Sequence, residues 1–242
     1  MPELSRVIRF VVGNMNGSGN SPDIDSRRKS AVNIGVMGGT FDPIHNGHLA
    51  MAQETRISLN LGRIVFVPAG QPWMKSARPL TPAVHRLEMV RLAIAPYPYF
   101  RLSRIEIDRA GPTYTIDTIT ELRAQLAVGD ELYFILGWDS LAQLPQWRDV
   151  SRLIQLCRLV AIPRPGYSLP DLKLLESNIP GLSQRLVLMD KPVIDISATD
   201  IRDRVAQGLP ISHLVPAPVE EYIKQHRLYM LHGNQEVRER SL

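Results

Sequence analysis

Two histidines three residues apart, His45 and His48, stand inside Gly38-Gly39-Thr40-Phe41-Asp42-Pro43-Ile44-His45-Asn46-Gly47-His48-Leu49. That stretch follows a short apolar run directly and precedes a helical pattern directly. Adjacent glycines let a ligand phosphate approach the backbone, and a helix start offers unpaired N–H groups with partial positive charge. If the helix begins at or just before them, the two imidazoles project from one side toward the same anion. The stretch therefore reads as a phosphate site. Metal ligation and plain structural histidines are the other readings of such a pair, although the zincin pattern H-E-x-x-H is absent and no metal ligands are assigned. Two familiar phosphate motifs are excluded. Gly35, Gly38 and Gly39 have the wrong spacing for G-x-G-x-x-G, while Lys29-Ser30 and Lys75-Ser76 follow Arg28 and Met74 where a Walker loop needs glycine.

The elements that must hold this turn follow from periodicity. Val32 to Met37 is a strand, followed by a helical segment with Ala50, Ile57 and Leu61 at helical spacing. Ile64 to Val67 is a second strand, stopped by Pro68. A helix starts at Thr81-Pro82, a cap followed by proline at the first helical position, with Leu87, Val90 and Ile94 on one face. Phe100 to Ile107 alternates as a strand with one wet face, and Tyr114 to Leu126 is a helix with Ile116, Ile119, Leu122 and Leu126 as its stripe. Leu132 to Leu136, Leu159 to Ile162 and Leu186 to Met189 are apolar strands, the first of the kind buried on both faces of a parallel sheet. Helical stretches near 140–156, 199–207 and 217–227 complete the series. Strands separated by helices predict an α/β fold, Rossmann-like and doubly wound on a mainly parallel sheet. Ligands of such sheets sit at the carboxyl ends of the strands, where the first βα turn meets a helix.

Composition bounds the rest. The chain has 242 residues, 44% hydrophobic and 21% charged, with a net charge of +4. Residues 1–30 hold five basic and three acidic residues, so half of the excess lies there. The remainder is no polyanion-binding stripe, and nucleic acid is not an expected partner. Eleven of the eighteen residues from Gly13 to Ser30 are Gly, Asn, Ser or Pro, which cannot bury enough apolar surface to order themselves. Residues 1–30 are expected to be a disordered extension, unless the natural chain starts further down. Residues 31–232 are read as one domain and 233–242 as a frayed tail. No apolar run reaches the ~20 residues of a membrane span, and Val7 to Val12 makes a poor signal peptide, so no membrane partner is expected. Cys157 is the only cysteine, which excludes an intramolecular disulfide and points to a reducing cytoplasm. A homo-oligomer is compatible with all of this.

Five stretches in order carry a family resemblance. The segment from Gly38 to His48 resembles the H-x-G-H signature of the nucleotidyltransferase superfamily, in the form used by bacterial nicotinate-nucleotide adenylyltransferases. Gly137-Trp138-Asp139-Ser140-Leu141 resembles that family's G-x-D-S-L, and Leu144-Pro145-Gln146-Trp147 its following Trp segment. Ile162-Pro163-Arg164-Pro165-Gly166-Tyr167 resembles R-P-G-Y, and Ile196-Ser197-Ala198-Thr199-Asp200-Ile201-Arg202 resembles I-S-S/A-T-x-I-R. The resemblance implies a nucleotidyltransferase fold and adenylyl transfer from ATP to nicotinate mononucleotide, giving deamido-NAD and pyrophosphate in NAD biosynthesis. Mg²⁺ is expected to arrive with ATP. The alternatives are an adenylyltransferase for nicotinamide mononucleotide or another small molecule such as phosphopantetheine, and a regulatory module that binds nucleotide without chemistry.

By that resemblance His45, His48 and Arg202 are the catalytic donors, with imidazole pKa values lifted by the phosphates they face. Gly38, Gly39, Thr40 and Phe41 join them around ATP. Ser197 and Thr199 with Arg202 fit a second phosphate cradle, or else cap a helix beside a surface arginine. Asp139 accepts from ribose hydroxyls or caps the helix that follows it. Trp147 stacks on the pyridine or is a core aromatic, and Thr115 lies near the same end. The acceptor side departs from the family: Gln71-Pro72-Trp73-Met74-Lys75 lacks the usual histidine, and Arg148 follows Trp147 where an aromatic is frequent. Lys75 and Arg148 either attract the acceptor's anionic groups or are solvated surface charges.

Overall fold

The computed structural model describes residues 31–72 and 80–230. The expected extension over 1–30, the tail over 233–242 and the acceptor-side Lys75 lie outside the described residues. From the N-terminal side the elements are β1 (Asn33–Gly39), α1 (Asn46–Ser58), β2 (Arg63–Pro68), β3 (Gln71–Pro72), α2 (Ala83–Ile94), β4 (Phe100–Leu102), β5 (Pro112–Thr113) and α3 (Thr115–Ala124). The second half runs β6 (Glu131–Gly137), α4 (Trp138–Ala142), a 3₁₀ turn (Leu144–Gln146), α5 (Val150–Leu156), β7 (Arg158–Ile162), α6 (Leu172–Asn178), α7 (Leu182–Arg185), β8 (Leu186–Leu188), α8 (Ala198–Ala206) and α9 (Ala217–Gln225).

Six strands form one sheet in the order β4-β2-β1-β6-β7-β8, and every neighbouring pair is parallel. The chain winds outward from β1 through β2 to β4, then returns to place β6 against the other side of β1. At that reversal the connections leave β1 and β6 in opposite directions, the point beyond whose carboxyl ends such sheets bind their ligands. Gly38 and Gly39 end β1 and Gly137 ends β6, so the H-x-G-H and G-x-D-S-L stretches meet there.

Alternation along the strands divides the core in two. Met37, Phe66, Ile135 and Val160 face α1, α2, α8 and α9. Val36, Phe134, Leu136 and Leu159 face α3 to α7. Leu132 to Leu136 is buried throughout, the expected behaviour of a strand covered on both faces.

Four expectations need correction. The strand predicted over Phe100 to Ile107 ends at Leu102: Ser103 gives its N–H to Phe66, and the chain then turns through an Asp108-to-Arg104 backbone bond. The helix predicted near 140–156 is broken into α4, the 3₁₀ turn and α5, because Pro145 has no N–H to continue a helix and Asp149 takes a left-handed φ of 49°. Pro82 is the N-cap residue of α2, not its first helical residue, and its buried face is Arg86, Met89, Val90, Ala93 and Ile94. In α1 the buried face is Gly47, Leu49, Ala52 and Thr55, since Leu61 lies past the helix end and Ile57 is exposed.

Candidate active site

The turn after β1 is built on packed rings. A Cβ on Gly39 would stand 3.2 Å from the Phe41 ring, and one on Gly38 3.4 Å from the Phe134 ring. Phe41 is 1% exposed in a left-handed backbone (φ 49°), a strained conformation for so bulky a residue. Its ring meets the edge of His48 at 5.0 Å between centroids. Phe41 thus acts here as packing beneath the histidine. Thr40 is exposed and turns its carbonyl inward, onto Arg86.

His45 is the N-cap residue of α1 and His48 sits one turn on, with the two rings stacked 3.7 Å apart. The backbone N–H of His45 donates to His48 Nδ1 at 3.3 Å. An accepting Nδ1 places the neutral ring's proton on Nε2, leaving that N–H as a donor. His45 Nδ1 is buried without a partner. Burial, and then the Arg164 guanidinium, push His45 down from 6.5 to about 3. His48 is also held well below its ordinary value by burial first, then His45 and Arg164. The expected lift by phosphate is thus opposed in the chain alone, where both rings are neutral at pH 7.

Unfolded His45 takes up its proton near pH 6.5, whereas the folded ring resists until about pH 3. Its contribution is complete above pH 6.5 and falls away as the medium is acidified toward pH 3. The slope is at most about 1.4 kcal/mol per pH unit for one such group. Urea unfolding at pH 7 and 5 checks it: His45→Gln should lose less stability across that interval than the parent chain.

Arg202 joins the two ends of the site. From α8 its Nη1 donates to the Asp42 carbonyl at 2.6 Å and its Nη2 to Thr199 Oγ1 at 2.9 Å, while its Nε is buried and unpaired. The Asp42 carboxylate, 2% exposed, accepts from Thr81 N–H at 3.2 Å and from Tyr229 Oη–H at 2.7 Å. Ser197 caps α8, its Oγ accepting from Asp200 N–H at 3.0 Å. The two I-S-A-T hydroxyls are thus engaged locally, one in the cap and one on Arg202. Arg202 itself is half-buried.

Asp139 lies in the first turn of α4 and does not cap it, since Gly137 is the N-cap residue and α4 has no side-chain cap bond. Its Oδ2 accepts from Arg164 Nη1 at 2.5 Å. On the acceptor side, Trp147 is half-buried with its edge on Phe134 (5.9 Å, 81°), which places Phe134 between Gly38 and Trp147. Arg148 is exposed, stacks over the Tyr114 ring at 4.7 Å and lies 3.9 Å from Asp117. Thr115 opens α3 between those two partners.

The structure therefore gathers His45, His48, Thr199 and Arg202 around one turn, sets Asp139 at the neighbouring strand end, and groups Thr115 with Arg148 beside Trp147. Residue-by-residue reading missed Arg164, Arg86, Asp42 and Tyr229. Of these, Arg164 had a signal, the R-P-G-Y stretch, and Asp42 stood inside the first motif.

Comparison with known proteins identifies the family. The family model described as cytidylyltransferase-like matches residues 36–204. A "probable nicotinate-nucleotide adenylyltransferase" of Dehalococcoides mccartyi strain CBDB1 is 51% identical over 199 residues, covering 82% of this chain and 98% of the relative. One of the same name from Roseiflexus sp. strain RS-1 is 48% identical over 200 residues, covering 83% and 99%. Among solved structures, Plasmodium falciparum nicotinic acid mononucleotide adenylyltransferase complexed with NaAD superposes with a TM-score of 0.67 at 21% identity, covering 82% of this chain and 97% of that one. That likeness speaks for the fold.

Proposed function

Because this chain belongs to the nicotinate-nucleotide adenylyltransferase family of cytidylyltransferase-like proteins, we propose that it transfers the adenylyl group of ATP to nicotinate mononucleotide, releasing pyrophosphate and forming deamido-NAD for NAD biosynthesis. The observation that carries this reading is the Arg202 bond to the Asp42 carbonyl, which holds the α8 motif against the turn of His45 and His48.

An oxygen of the acceptor's phosphate forms the new bond to the α-phosphorus of ATP. The bond from that phosphorus to the oxygen bridging to the β-phosphate breaks, and its electron pair leaves with pyrophosphate. The nucleophile is already an anion at neutral pH and needs no general base. The barrier lies in bringing two polyanions together in line and stabilising charge on the phosphoryl oxygens, which calls for positioned donors. His48 offers its Nε2–H, His45 a buried ring with an unpaired Nδ1, and Arg202 a guanidinium oriented by Thr199. The main-chain amides after Gly38 and Gly39 and at the start of α8 add neutral donors. Asp139 accepts from ribose hydroxyls, while Thr115, Trp147, Arg148 and Lys75 serve the acceptor.

Among the described residues no cluster of three or more His, Cys, Asp or Glu could hold a metal ion. Mg²⁺ is proposed to arrive as part of the substrate, carried by triphosphate oxygens and water, where it would neutralise phosphate charge. Among the same residues no helix is long and apolar enough to cross a membrane. A reducing cytoplasm is the compartment that suits the one buried thiol, Cys157.

The test is pyrophosphate release from Mg-ATP with nicotinate mononucleotide or its amide as acceptor. Release with the acid and slower turnover with the amide is the expected result. Faster turnover with the amide would reassign the acceptor, and none with either would end the enzymatic reading.

A further inference from the structure

Arg164 follows the carboxyl end of β7 by two residues and is assigned nothing by the reading above. It reaches across to the neighbouring strand end, where its Nη1 and Asp139 Oδ2 are 2.5 Å apart. The other carboxylate oxygen lies close to the backbone of Gly137. A Cβ on Gly137 would stand 2.4 Å from Asp139 Oδ1 and 3.8 Å from Arg164 Cδ, so only glycine admits the carboxylate this close to the backbone. Asp139 is thus held by a guanidinium, in a space that a bare peptide leaves open.

Stability does not explain this arrangement. The Arg164 side chain is 47% exposed, and an ion pair at such a site contributes little to folding. Nor is Asp139 needed as a helix cap. What the pair does provide is orientation, because the single charge-assisted bond from Arg164 Nη1 points Asp139 Oδ2 in one direction. We propose that Arg164 is a positioning residue of the ATP side: it holds Asp139 ready for the ribose hydroxyls, so that nucleotide binding does not have to order that side chain. The inference rests on Asp139 being the ribose contact. A carboxylate ordered in advance lowers the entropic cost of binding, which appears in the affinity for the nucleotide and not in the chemical step. The location agrees: the same guanidinium is near enough to disfavour protonation of both imidazoles.

The experiment compares the full chain with Arg164→Gln, Arg164→Lys and Asp139→Asn, using ATP, 2′-deoxy-ATP and 3′-deoxy-ATP with nicotinate mononucleotide and Mg²⁺. Arg164→Gln should raise KM for ATP about tenfold, the usual scale for a lost charge-assisted contact. Its kcat should stay within about threefold and KM for the acceptor should not move, since the interaction serves nucleotide binding alone. Its preference for ATP over the deoxy analogues should shrink toward that of Asp139→Asn, and Arg164→Lys should recover part of it. Thermal unfolding of all three variants close to that of the parent separates positioning from folding. Full discrimination in Arg164→Gln alongside its loss in Asp139→Asn would overturn the role of Arg164 and leave the adenylyltransferase reading intact. Discrimination retained by Asp139→Asn would overturn the ribose contact, and this inference with it. Equal changes in both KM values in a folded Arg164→Gln would also sink it.

Discussion

His48→Ala is expected to lower kcat by about 10² to 10³, the effect of removing one preorganised donor from a developing oxyanion. Two features make His48 the more exposed of the pair to such a loss. Its Nδ1 is committed to the His45 N–H, so its one remaining polar function is the Nε2–H. Its ring is also fixed from both sides, stacked on His45 and edge-on to Phe41. Alanine removes the donor and leaves the Phe41 ring partly uncovered, which mixes chemistry with packing. Asparagine separates them: its side-chain oxygen can still accept from the His45 N–H, whereas nothing reaches the Nε2 position. His48→Asn should therefore unfold closer to the parent than alanine does, and lose nearly as much kcat as alanine. Steady-state kinetics with Mg-ATP and nicotinate mononucleotide, together with a thermal melt, measure both. Turnover within threefold of the parent in either variant would show that the ring is only part of the helix start.

The contrast between these histidines and Arg164 shows what a sequence discloses. The apolar run Leu132–Leu136 and the alternation of strands with helices specify a parallel sheet, because a strand buried on both faces has no other composition open to it. A parallel sheet wound both ways must have a crevice at the reversal, so the neighbourhood of His45 and Asp139 was legible before any coordinates. The contact of Asp139 with Arg164 was not. It joins residues 25 positions apart through a side chain that could equally have faced water, and periodicity carries no information about that choice. The helix breaks at Pro145 and Asp149 differ in kind: the apolar spacing from Leu141 to Ile154 suits a continuous helix, Pro145 alone marks a break in the sequence, and the packing of Trp147 against Phe134 fixes the bend. Arg86 lies deepest. A charged residue on a helix reads as solvated, since arginine is almost never fully buried unless paired.

Arg86→Met is expected to cost about 3 to 5 kcal/mol of folding stability, because it removes one partner from a buried charged network. Arg86 is 2% exposed, and its guanidinium donates to three carbonyls: Thr40 at 2.8 Å, Thr81 at 2.9 Å and Gly70 at 3.4 Å. Burial pulls its pKa down, and Asp42 and then Tyr229 pull it back up. Methionine fills much of the volume and satisfies none of these acceptors. It also leaves the buried Asp42 carboxylate without its nearby cation, although the bonds from Thr81 N–H and Tyr229 remain. Asp42→Asn in the Arg86→Met background should therefore recover part of the loss, a coupling that a double-mutant cycle measures directly. Denaturant unfolding gives the four stabilities. The consequence extends to catalysis, because Asp42 also offers the carbonyl that Arg202 grips and Thr40 sits beside Phe41, the residue under His48. Any Arg86→Met that folds should retain less turnover than its residual stability suggests. If it lost under about 1 kcal/mol, within the range of an ordinary surface change, the three carbonyls would have to find water in its place, and Arg86 would not be what holds the turn.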